Sequence, residues 1–162
     1  MKITLAFKHI IENDAPLFWK LSAESIKYWD SSKYFHIEII IKDKWIYSGT
    51  EGGIIITELK PLTDKNYDYY DLTTPNLTTE QEKILFDYIE SQKGSGYDWL
   101  GIFLSQILPF DRESSDKWFC SEIVAKLLQM MYVEEFLDKK PNTLSPADIF
   151  NIIKPKLIWR FI

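Results

Sequence analysis

At 162 residues, 46% hydrophobic and with a single cysteine, the chain can bury the core of one domain without a disulfide or a metal. Its formal charge of -5, with Lys and Arg dispersed among Asp and Glu, argues against a nucleic-acid footprint. Lys8 and His9 break the first apolar run before signal-peptide length, and the run at 102–110 is far short of the ~20 residues of a membrane span. The expectation is one soluble domain over 1–162, starting at Met1, in a reducing cytoplasm.

In chain order, residues 2–7 alternate as a short strand, and Asp14-Ala15-Pro16 reads as a helix start. The helix expected near 15–27 would bury the stripe of Leu17, Leu21 and Ser25 and turn Lys20, Glu24 and Lys27 to water. The strongest strand pattern is 34–41, rich in β-branched and aromatic residues. Its period of two puts Phe35, Ile37, Ile39 and Ile41 on one face and Tyr34, His36, Glu38 and Ile40 on the other. A tight turn at Asp43-Lys44, a strand at 45–48, the glycines 49, 52 and 53 and a strand at 54–57 continue this as an antiparallel meander.

A further strand is expected near 66–72, and helices then take over. Thr78 with Gln81 forms a capping-box signature for a helix carrying Ile84, Leu85, Tyr88 and Ile89, closed by Gly94-Ser95-Gly96. Residues 97–108 read as a second helix stopped by Pro109, and 111–117 as a surface loop. A third helix starts at Cys120 with Ile123, Val124, Leu127, Leu128 and Met131 at helical spacing, and a last short one begins at Ser145-Pro146.

Cys120 is the residue with most chemical potential. A thiol is mostly protonated at neutral pH unless something lowers its pKa, and a helix N-terminus, with its unpaired N–H groups and dipole, favours the anion. The alternative is a small core hydrophobe beside Trp118 and Phe119. Two imidazoles exist to decide between them. His9 falls in a polar connection and reads as a solvated surface residue. His36 stands two residues before Glu38 in the best strand, so the carboxylate can orient the ring. Either this pair lines a cleft or it is the water-facing side of an edge strand. With one cysteine and no usable histidine pair, no zinc site is expected, and no Gly-rich loop precedes a helix as a phosphate cradle would require.

The stretch Gly96-Tyr97-Asp98-Trp99-Leu100-Gly101, followed by Trp118-Phe119-Cys120-Ser121-Glu122-Ile123-Val124, resembles the tyrosine-containing turn and nucleophile helix of NlpC-type cell-wall peptidases. In the usual members the cysteine precedes the histidine. Here His36 comes first, which resembles the permuted branch that includes the YiiX/YebB-like hydrolases and the lecithin–retinol acyltransferase group. Leu144-Ser145-Pro146-Ala147-Asp148-Ile149 is similar to a Ser/Thr-Pro-x-Asp helix start late in such chains.

The resemblance implies an α+β, permuted papain-like fold, with an antiparallel sheet or partial barrel packed against a helical subdomain. It implies a cysteine hydrolase with Cys120 as nucleophile, His36 as base, Glu38 as the orienting third member and Tyr97 near the oxyanion or substrate site. The following strand, where Tyr47 stands, is the other source of a third member. No cofactor is implied. The substrates implied are peptides, isopeptides, peptidoglycan stems or lipid esters. Acyl transfer in place of hydrolysis, and a binding module that keeps the fold without catalysis, stay open. A composition heavy in Ile, Lys, Asn and Tyr suits a low-GC bacterium or its phage.

Overall fold

The computed structural model of the protein describes residues 1–15, 17–49, 53–94, 96–97, 117–118 and 120–160, and for residues 18, 19, 22, 29, 30, 49, 96, 97, 117 and 118 the backbone only. Helices are packed on an open antiparallel sheet of six strands, which makes the class α+β. The strands are β1 (Lys2–Lys8), β2 (His36–Ile41), β3 (Lys44–Gly49), β4 (Gly53–Glu58), β5 (Tyr67–Thr73) and β8 (Ile158–Trp159), in the order β4-β3-β2-β1-β5-β8. A separate pair, β6 (Gly96–Tyr97) and β7 (Lys117–Trp118), runs parallel. The helices are α1 (Leu17–Asp30), α2 (Thr79–Ser91), α3 (Cys120–Met130) and α4 (Pro146–Ile153). Among the described residues no helix is long and apolar enough to cross a membrane.

The chain begins at the centre of the sheet. β1 pairs with β2 on one side and β5 on the other, so the first eight residues are held by a strand that starts at His36 and one that starts at Tyr67. Local pattern does not carry such long-range pairing, and β8 at the far edge gave no sequence signal of its own. The hairpin joining β2 to β3 turns through Lys42 and Asp43, both at positive φ (46° and 61°), one residue earlier than expected. That two-residue left-handed turn matches the twist of the flanking strands.

One face of the sheet carries Ile3, Leu5 and Phe7 of β1, Ile37, Ile39 and Ile41 of β2, Ile46, Ile54 and Leu72. Against it pack Leu85 and Ile89 of α2, Ile123, Val124, Leu127 and Leu128 of α3, and Ile149 and Ile153 of α4. The expected capping box at Thr78 forms, and a second box stands at the helix start expected at Ser145-Pro146. The Gln81 N–H donates to Thr78 Oγ1 at 3.2 Å while the Thr78 N–H donates to Gln81 Oε1 at 2.9 Å. Ser145 and Asp148 exchange the same pair at 3.1 and 3.0 Å. Each satisfies donors that the first helical turn leaves unpaired.

Three expectations need correction. In α1, Leu17 and Leu21 are 73% and 60% exposed, and the helix instead buries Ala23 and Ile26 against Phe35 and Ile11. Apolar residues occur on both sides of this helix, so periodicity alone could not choose; the packing partners Phe35 and Ile11 decide it. The alternation expected from residue 34 holds only from His36, where β2 begins. Tyr34 lies on the helical side, its ring 5.0 Å from that of Phe7 and its hydroxyl 2.9 Å from that of Tyr70, while Phe35 joins the α1 cluster. Tyr97 sits in β6 rather than at a helix start. The rest of the helix expected at 97–108, and the loop at 111–117 up to residue 116, lie outside the described residues.

Candidate functional site

β2 is an interior strand whose pairing with β3 covers only Ile39–Ile41, so at His36 and Glu38 its backbone pairs with β1 alone, yet neither side chain faces water. His36 and Glu38 are each 5% exposed, and Cys120 is 5% exposed at the first turn of α3. Burial of three ionisable side chains demands that each be held by a partner.

The partners form a chain. Glu38 Oε1 lies 3.0 Å from His36 Nε2. With that nitrogen engaged, Nδ1 is the ring atom left to face Cys120, whose thiol lies close enough for each group's charge to act on the other. The sulfur also receives the backbone N–H groups of Ile37 and Ser121. Burial alone would raise the Cys120 thiol, but the His36 charge and these donors bring it below its ordinary value. Burial likewise opposes charge on His36. The Cys120 anion and then Glu38 outweigh it and push the imidazolium up to about 10. The arrangement is a buried thiol and imidazole, each favouring the other's charged form, with a carboxylate at the far side of the ring.

Glu38 is itself clamped. The Tyr67 hydroxyl donates to Oε1 at 2.8 Å, and the Trp45 indole N–H donates to Oε2. Tyr67 reaches Glu38 across the whole width of β1. Ala6 stands opposite Glu38 on one side and opposite Tyr69 on the other, and its single methyl leaves the space above β1 open. Lys8, opposite both His36 and Tyr67, turns its ammonium to Glu12 at 2.7 Å. Trp45 could have been suspected from the hairpin, because its pairing with Ile40 puts it on the Glu38 face. Tyr67 could not, since nothing local shows that β5 lies two strands from β2.

The structure thus brings Cys120, His36 and Glu38 together. Tyr47 shares the Trp45 face of β3, and burial followed by the nearby Glu38 charge raises its hydroxyl, but Nε2 of His36 is already engaged by Glu38. Tyr97 pairs through its backbone with Trp118, two residues before Cys120, and its side chain lies outside the described atoms. His9 is not a solvated surface residue. Its Nε2 lies 3.3 Å from Asp68 Oδ1, with the side chain 21% exposed. Among the described residues no group of three or more His, Cys, Asp or Glu side chains is placed to hold a metal ion.

Compared with known proteins, the chain matches no family model and no curated protein. A thiolate at a helix N-terminus, paired with an oriented imidazole, can attack an electrophilic carbon and then deliver a proton to a leaving group.

Proposed function

We propose that the protein is a cysteine hydrolase of the permuted papain-like, NlpC-type kind, nearest the YiiX/YebB-like branch, and that it cleaves an amide or ester bond through an acyl-enzyme. The observation that carries this reading is the buried cluster of Cys120, His36 and Glu38, with Glu38 bonded to His36, Tyr67 and Trp45. Three buried ionisable groups cost stability that a packed apolar core would not, and a binding module has no use for them.

In this mechanism the Cys120 thiolate adds to the carbonyl carbon and the carbonyl electron pair moves onto oxygen. Collapse expels the amine or alcohol, which takes its proton from the His36 imidazolium. His36, now neutral, removes a proton from water as it attacks the thioester, and the acid leaves as the thiolate is restored. Glu38 holds Nε2–H throughout, so Nδ1 always faces the sulfur. Tyr97 is retained as a candidate substrate-side residue on the strength of the motif alone.

The substrate class is a peptide, isopeptide, peptidoglycan stem or lipid ester. The test is a panel of these four presented to the protein and to Cys120→Ala, with intact mass reading a covalent acyl adduct. An adduct in the native protein only, discharged by water, is expected. Discharge to an added amine in preference to water would make it an acyltransferase. No adduct from any class, with a ligand retained in the cleft, would favour the binding module.

A further inference from the structure

β2 and β3 part company beside the sulfur. Their pairing covers Ile39 with Ile46, Ile40 with Trp45 and Ile41 with Lys44, and stops there, although β3 stays paired to β4 through Ser48 with Ile54 and Gly49 with Gly53. Continuing the register by two residues would set Ser48 opposite Ile37. That pair is not made.

The direction of the Ile37 amide follows from the ladder. The His9 N–H donates to the Asn66 carbonyl at 2.9 Å on the β5 side of β1, so odd residues of β1 bond toward β5 and even ones toward β2. Even residues of β2 then bond β1, and odd ones, Ile37 among them, point their amides at β3. The Ile37 N–H that Ser48 would have taken goes to the Cys120 sulfur instead. The thiol therefore lies on the edge of β2 that faces β3, at the level where the register would bring Ser48.

Ser48 is 5% exposed, and its hydroxyl oxygen has no hydrogen-bond partner among the described residues. It shares the sheet face of Ile46, the face on which α3 packs. A buried hydroxyl left unsatisfied weakens the fold, and such groups survive where function needs a donor aimed at something absent from the resting state.

We propose that Ser48 is a further catalytic residue, whose hydroxyl donates to the oxyanion formed when Cys120 adds to a carbonyl. This rests on the hydrolase reading above. The probe is 4-nitrophenyl acetate. The thiolate pair forms the C–S bond, the carbonyl pair moves to oxygen beside Ser48, and its return expels 4-nitrophenolate and leaves acetyl-Cys120. Iodoacetamide is the control, because displacement at its saturated carbon develops no oxyanion and reads only thiolate content and access.

In Ser48→Ala the acetylation burst should slow about 10²-fold, the loss typical of one oxyanion donor. Alkylation should stay within about twofold of the native rate, and the thermal midpoint should hold or rise as an unpaired buried hydroxyl is removed. Ser48→Thr, which keeps a hydroxyl, should retain most of the burst. A burst kept by Ser48→Ala overturns the assignment, as does a burst loss matched by an equal loss of alkylation or by an equal loss in Ser48→Thr. Absence of any burst in the native protein overturns the hydrolase reading and this assignment together, whereas a native burst that Ser48→Ala retains overturns this assignment alone.

Discussion

Replacing His36 by alanine should lower turnover at least about 10³-fold, because one substitution removes both the partner that ionises the thiol and the acid that protonates the leaving group. The sulfur would keep only the Ile37 and Ser121 amides against full burial, so its pKa must climb and alkylation near neutral pH must slow. The pair also leaves a signature in stability. His36 is raised from 6.5 to about 10, so its contribution is fully present below its unfolded value and is lost as pH rises through about 10. Cys120 is lowered from 9.0, so its contribution is present above that value and is lost as pH falls through the folded one. Up to about pH 9 the two slopes oppose one another, so native protein should lose thermal stability only between about pH 9 and 10, and His36→Ala should not show that loss. Turnover in His36→Ala within tenfold of native would remove His36 from the chemistry.

Tyr67→Phe should be the most destabilising conservative change in the site. It deletes one hydroxyl and leaves Oε1 of the buried Glu38 carboxylate with His36 alone. Losing a hydrogen bond to a charged group costs about 1.5–3 kcal/mol, and in a chain of this length that lowers the thermal midpoint by roughly 5–10 °C. Glu38 also holds the His36 ring in place, so the pH profile of kcat/KM should move along with the midpoint. A merely structural tyrosine would shift the melting curve and leave the profile where it was. In a Glu38→Gln background the same substitution should cost clearly less, since the two residues act on one network. Equal costs in both backgrounds would show that Tyr67 acts through packing against Trp45 and Tyr69 instead.

What was legible in the sequence is what short-range physics decides. The β-branched run through Ile41 specified a strand and put His36 and Glu38 on one face, Thr78 with Gln81 specified a helix start down to its hydrogen bonds, and Ser145-Pro146 specified another start without them. Cys120 at a helix start was readable for the same reason. What escaped was set by partners far along the chain. The face of α1 was decided by Phe35 and Ile11, and the place of Tyr67 beside Glu38 by a strand order no local pattern records. Trp45 and Tyr67, neither of them singled out in the sequence, hold the carboxylate. Ser48 gave no signal at all, because its position becomes informative only once β2 and β3 are seen to separate next to it.

Catalysis requires Cys120 to be ionised by His36 in the folded protein, and the rate of iodoacetamide alkylation against pH measures that directly. A midpoint well below the ordinary thiol value of about 8.5, moving upward in His36→Ala, is the predicted result. A folded protein whose thiol titrates at or above that value, or stays inert until it unfolds, would contradict it and leave Cys120 a structural core residue.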